Sequence, residues 1–106
     1  MKKSQRQDVE LLFEAILSLE TVGECDTFFE DICTIKELQA MAQRFLVACQ
    51  LNDDRNYVEV SESTGASSAT ISRVNKCLLY GNGGYKTAID RLTKTGKLER
   101  TYDSEK

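Results

Sequence analysis

The sequence predicts an all-α protein, and three observations carry that expectation. Proline is absent from all 106 residues, apolar residues recur at spacings of three and four, and few stretches alternate β-branched with polar side chains as a half-buried strand does. At 41% hydrophobic and 29% charged side chains the composition is that of one globular domain rather than of a disordered chain. No apolar run approaches the ~18 residues of a membrane span. Met1-Lys2-Lys3-Ser4 leads into a charged segment and not into a signal peptide's apolar stretch, so a cytoplasmic protein is expected.

The first periodic segment runs from about Ser4 to Leu19, with Val9, Leu12, Phe13, Ile16 and Leu17 on a helical repeat. Leu11, Ala15 and Leu19 widen its apolar arc past the ~100° stripe of a helix that packs on one side. Such a helix needs cover on more than one face. A chain this short buries only about two-thirds of its unfolded surface, so a second copy is the expected cover, giving an intertwined dimer. After a break at Thr21-Val22-Gly23, Asp26 is the expected cap of a short helix through Phe28, Phe29 and Ile32. Thr34-x-x-Glu37 is a capping box and opens a long third helix. Its expected stripe is Ile35, Leu38, Ala42, Phe45, Leu46 and Cys49, ending near Leu51 before Asn52-Asp53-Asp54-Arg55.

A second capping box, Asn56-x-x-Glu59, opens a short helix with Tyr57 and Val60 on one face. Gly65 ends it as a residue suited to the left-handed region, and Ser67 or Ser68 caps the next helix. There Ile71, Val74 and Leu78 turn inward, while Ser68, Ala69, Thr70, Ser72, Arg73 and Lys76 are small, polar or basic. Two helices joined by a tight glycine turn, the second led by small polar residues, form the helix-turn-helix pattern over about 56–79. Tyr80-Gly81-Asn82-Gly83-Gly84 reads as a loop, and a last helix from about Tyr85 to Lys94 carries Ala88, Ile89 and Leu92 inward. Residues 1–98 are thus expected as one helical domain and 99–106 as a flexible tail.

Histidine is absent, which leaves serine triads, Cys-His dyads and Cys₂His₂ fingers without a required part. Cys25, Cys33, Cys49 and Cys77 form no C-x-x-C pair, so neither a zinc knuckle nor a thioredoxin-type site is written here. Cys33, Cys49 and Cys77 fall among apolar positions and read as small hydrophobes. No catalytic residue, metal site or cofactor is expected.

Charge is segregated along the chain. Residues 1–63 carry six basic and thirteen acidic side chains, a net of −7, whereas residues 64–98 set Arg73, Lys76, Lys86, Arg91, Lys94 and Lys97 against Asp90 alone, a net of +5. The basic end coincides with the helix-turn-helix, where a local positive patch is enough to neutralise phosphates.

Three stretches carry a family resemblance. Phe28-Phe29-Glu30-Asp31-Ile32-Cys33-Thr34, then Glu37-Leu38-x-x-Met41-x-x-Arg44-Phe45, then Glu59-Val60-x-Glu62-x-Thr64-Gly65-Ala66-Ser67-Ser68-Ala69-Thr70-Ile71-Ser72-Arg73-Val74 with the closing Leu78-x-Tyr80-Gly81 resemble the Trp repressor superfamily, and within it the YerC/YecD family. The resemblance implies a six-helix subunit, a homodimer and a helix-turn-helix that enters major grooves one turn, about 34 Å, apart. It places Ser68, Ala69, Thr70 and Ser72, with Ser67 at the same end, against double-stranded DNA: the Thr70 and Ser72 hydroxyls for phosphates or bases, Ala69 for a thymine methyl. On the preceding helix Val58 and Ser61 stand where the founding repressor has basic residues for the phosphates, so the phosphate contacts are expected from Arg73 and Lys76, with Lys86 as a further candidate.

The resemblance also implies an effector pocket at Gln43, Arg44, Arg73, Val74 and Cys77. In the family, the arginine matched by Arg73 stacks on the indole of tryptophan and a glycine follows it; here the following residue is Val74, and Cys77 replaces a serine that helps hold the amino group. Gln43 stands where an arginine pairs with the ligand carboxylate, and Arg44 lies one residue on, about 100° around the helix. The reading is a homodimeric DNA-binding transcriptional regulator, a repressor, that does not answer to tryptophan and involves no membrane. The alternative is a helical protein-interaction module that keeps the fold without specific DNA binding.

Overall fold

The first turn of each helix leaves backbone N–H groups unpaired, and the residue just before it decides where the helix starts. A computed structural model describes residues 1–99, and the tail expected from residue 99 lies, beyond Glu99, outside the described residues. Among the described residues the regular structure is six helices: α1 (Lys3–Leu17), α2 (Val22–Ile32), α3 (Ile35–Asn52), α4 (Tyr57–Thr64), α5 (Ser68–Tyr80) and α6 (Gly84–Lys94). The all-α expectation therefore holds. None of these helices is long and apolar enough to cross a membrane.

Both capping boxes form. The Glu37 N–H donates to Thr34 Oγ1 at 3.1 Å while Glu37 Oε1 accepts from the Thr34 N–H at 2.8 Å, and the Thr34 N–H first, then the Thr34 hydroxyl, hold the Glu37 carboxyl below the usual carboxylate range. Asn56 and Glu59 repeat the exchange at 2.9 and 3.1 Å. The start of α2 differs from the expectation. Its cap is Thr21, whose Oγ1 accepts from the Glu24 N–H at 3.0 Å, so the helix takes in Val22 and Gly23 and begins before Asp26.

The described residues divide into two compact units, Met1–Leu38 and a second that begins at Gln39. In the first, α1 and α2 contain no buried residue. Phe28 and Phe29 meet edge to face with centroids 5.5 Å apart. Leu11 and Leu17 remain 71% and 77% exposed.

The second unit holds the core. Val47 and Ala48 of α3, Val60 of α4, Ala66 of the following turn, Ile71 and Val74 of α5 and Ile89 of α6 form one buried cluster, with Phe45, Cys49, Leu51, Tyr85 and Leu98 packed against it. Burying an aliphatic side chain of this size stabilises by about 1.5–3 kcal/mol. Four sequence expectations are corrected here. On α3 the buried residues are Val47 and Ala48, while Ile35, Ala42 and Leu46 of the expected stripe are exposed. Tyr57 is exposed although Val60 is buried. Cys77 is exposed, whereas Cys49 is half-buried and its burial pushes the thiol pKa up. Leu98, beyond the last helix, joins a core that periodicity assigns to residues before Gly96.

Candidate nucleic-acid interface

The α4–α5 turn is fixed by one backbone conformation and a set of short hydrogen bonds. Gly65 sits at φ 73°, and its N–H donates to the Ser61 carbonyl at 2.9 Å. No atom lies within 4 Å of the place a Cβ would occupy, so glycine is needed for the left-handed backbone and not for space. The Thr64 hydroxyl donates to the Val60 carbonyl at 2.7 Å and accepts from the Ala66 N–H at 3.1 Å, and Ser61 Oγ donates to the Ala66 carbonyl at 3.2 Å. Ala66 is thereby held in the core, and α5 leaves the turn in a defined direction.

Along α5 the two faces separate as the periodicity requires. Ile71, Val74 and Leu78 are buried, whereas Ser68, Ala69, Ser72, Arg73 and Lys76 are all exposed. Of the two serines offered as cap, Ser67 serves: its Oγ accepts from the Thr70 N–H at 3.2 Å and donates to Thr70 Oγ1 at 3.1 Å. The Ser67 and Thr70 hydroxyls are therefore coupled to each other at the head of the helix. Ser68 and Ser72 are exposed. Among the described residues the ion pair present is Arg6 with Glu10 at 3.7 Å, so Arg73 and Lys76 carry uncompensated charge on the exposed face.

A helix-turn-helix whose second helix is open, basic and led by small residues has counterparts among known proteins. The model of the Trp repressor protein family matches residues 7–93. The chain belongs to the Trp repressor family. It is 47% identical over 93 residues to the uncharacterized protein YerC of Bacillus subtilis (strain 168), spanning 88% of this chain and 89% of that protein. Its structure is similar to that of a TrpR-like protein from Eubacterium eligens ATCC 27750, with TM-score 0.81 and 54% identity over 88% of this chain and 93% of that one. A further solved chain, a putative Trp repressor from Staphylococcus aureus by its description, gives TM-score 0.81 at 38% identity over 88% of this chain and 96% of its own.

In this Trp repressor family member, two of the five residues expected at an effector pocket are engaged within the fold and three are exposed. Gln43 Nε2 donates to the Thr64 carbonyl at 3.2 Å and ties α3 to the end of α4. Arg44 and Cys77 are exposed. Val74 is 2% exposed and belongs to the buried cluster. Arg73, next to it, lies on the exposed face.

The structure adds one residue to the neighbourhood of the head of α5. Glu62 is absent from the DNA-contacting set expected from the sequence, because a carboxylate gives no phosphate-binding signal. It lines an open groove of about 380 Å³ together with Tyr57, Val58, Ser61, Ser68 and Ile71. Val58 is 66% exposed there.

Proposed function

We propose that the chain is a homodimeric, cytoplasmic DNA-binding transcription regulator, acting as a repressor through α4 and α5, and not an enzyme. The observation that carries this reading is the exposed face of α5, where Ser68, Ala69 and Ser72 lie ahead of the unpaired cations Arg73 and Lys76. Small side chains at the head of the helix let its end approach base edges, and cations behind them meet phosphates. Ser67 and Thr70 contribute at the same end, as cap and as coupled hydroxyl.

Dimerisation is supported by the apolar surface that one copy leaves in water. Leu11, Phe13 and Leu17 of α1 are exposed, and so are Ile35 and Leu46 of α3. A second copy covering these faces sets two recognition helices for half-sites about 34 Å apart. Tryptophan is not the effector of this regulator, because Val74 and Gln43 are already engaged within the fold.

The test is selection of bound sequences from random duplex DNA by the purified protein, followed by titration with salt. The expected result is an enriched, two-fold symmetric site whose affinity falls steeply with salt. Absence of salt-dependent binding to any duplex overturns the reading.

A further inference from the structure

We infer that Glu62 is a base-reading residue, one that accepts a hydrogen bond from the N4 amino group of a cytosine in the major groove; this rests on the DNA-binding reading above. The two carboxylates of α4 have different roles. Glu59 is used within the fold, its Oε1 accepting from the Asn56 N–H at 3.1 Å. Glu62 is exposed and its carboxylate, among the described residues, has neither a hydrogen bond nor an ion pair. It nevertheless shares one groove with Ser68, the first residue of the recognition helix. A free carboxylate at that place is repelled by the phosphates on either side of the groove, although it stands just ahead of the chain segment whose net charge is +5 over residues 64–98.

That repulsion is offset where the carboxylate meets a donor. Among base edges in the major groove, cytosine presents an amino donor without the neighbouring N7 acceptor that adenine adds, and a carboxylate, which only accepts, matches it. The apolar side of the same groove, Val58 and Tyr57, suits the unsubstituted or methylated C5 edge next to that amino group. Glu62 then selects sequence by favouring one base and penalising the rest, and its charge opposes non-specific affinity rather than adding to it.

The experiment compares the unmodified protein with Glu62→Gln and Glu62→Ala, each selecting from the same random duplex pool and each titrated with salt on one fixed duplex. The unmodified protein is expected to enrich cytosine at one position of each half-site. Glu62→Ala should lose that preference by about tenfold, and Glu62→Gln should move it to adenine, since an amide matches adenine N6 and N7. Overall affinity for the fixed non-specific duplex should hold or rise in both variants, with the salt slope unchanged. An identical base preference in all three proteins overturns the role of Glu62 and leaves DNA binding standing. Failure of the unmodified protein to bind any duplex overturns the DNA-binding reading itself, and the inference with it.

Discussion

The Gln43 side chain of α3 donates from Nε2 to the Thr64 carbonyl at the end of α4, at 3.2 Å across 21 positions of sequence. That carbonyl is among those a helix C-terminus leaves open, so one amide both closes α4 and holds the α4–α5 turn against α3. Gln43→Leu removes the donor from a half-buried acceptor, which costs about 1–3 kcal/mol. The expected result is a lower urea midpoint with an unchanged slope, measured at fixed protein concentration. An unshifted midpoint would assign the bond no role in stability.

Gly81 and Gly84 should respond oppositely to alanine. A Cβ on Gly81 runs into the backbone of Cys77, its carbonyl oxygen first, and backbone cannot step aside as a side chain end can. Overfilling of this kind costs about 1–3 kcal/mol. At Gly84, the first residue of α6, nothing lies within 4 Å and φ is not positive, so alanine should raise stability by about 0.4–1 kcal/mol. Thermal unfolding of the two variants side by side checks the sign of each.

The sequence is most legible where a local rule decides the structure alone. Thr34 with Glu37, Asn56 with Glu59 and Gly65 behave as the capping and turn rules require. The exposed face of α5 is equally readable, since Ile71, Val74 and Leu78 fix which side of the helix turns inward. At α2 the same rule applies but is masked: Thr21-x-x-Glu24 is a cap signal, and the glycine two residues on makes it read as a break. On α3 periodicity cannot decide which face is covered by this chain, because apolar residues lie nearly all round it. Val47 and Ala48 are covered within the unit, and Ile35 and Leu46 are left outward. Leu98 gives no signal, because a single apolar residue past the last helix has no period. The place of Glu62 is illegible for a different reason, since its groove exists only once α4 and α5 pack together.

Arg73→Ala and Lys76→Ala should each weaken binding to every duplex and lower the salt slope by about one for each phosphate contact removed. Both side chains are exposed and unpaired, so neither change should disturb the fold. Fluorescence anisotropy over a salt series gives both quantities. Unchanged affinity and slope in both variants would remove these two residues from the interface.

Leu11→Glu or Ala15→Glu sets a charge into the apolar arc of α1. Leu11 is 71% exposed in the single chain, so a monomer would tolerate the change there with little effect on stability. In a dimer that covers α1 the carboxylate is buried without a partner, and dimer and fold should be lost together. Analytical ultracentrifugation with circular dichroism distinguishes the cases: a well-folded monomer at micromolar concentration, for the unmodified chain, would exclude the dimer.

L-Tryptophan is expected not to bind at micromolar concentration. To admit an indole beside Arg73, Val74 would have to leave the core, where it is 2% exposed and clustered with Ile71, Val60 and Ile89. Displacing or overfilling a packed site of this kind costs about 1–3 kcal/mol, and each 1.4 kcal/mol is about tenfold in affinity. The polar contacts do not make up the difference. Gln43, at the position implied for the ligand's carboxylate, is committed to the Thr64 carbonyl, Arg44 lies about 100° around the helix, and the Cys77 thiol is a weak hydrogen-bond partner. Calorimetry should therefore show no heat of binding, and DNA affinity should be the same with and without the amino acid. A micromolar dissociation constant accompanied by tighter DNA binding would overturn this, and would mean that Val74 moves out of the core and Arg44 turns toward the ligand.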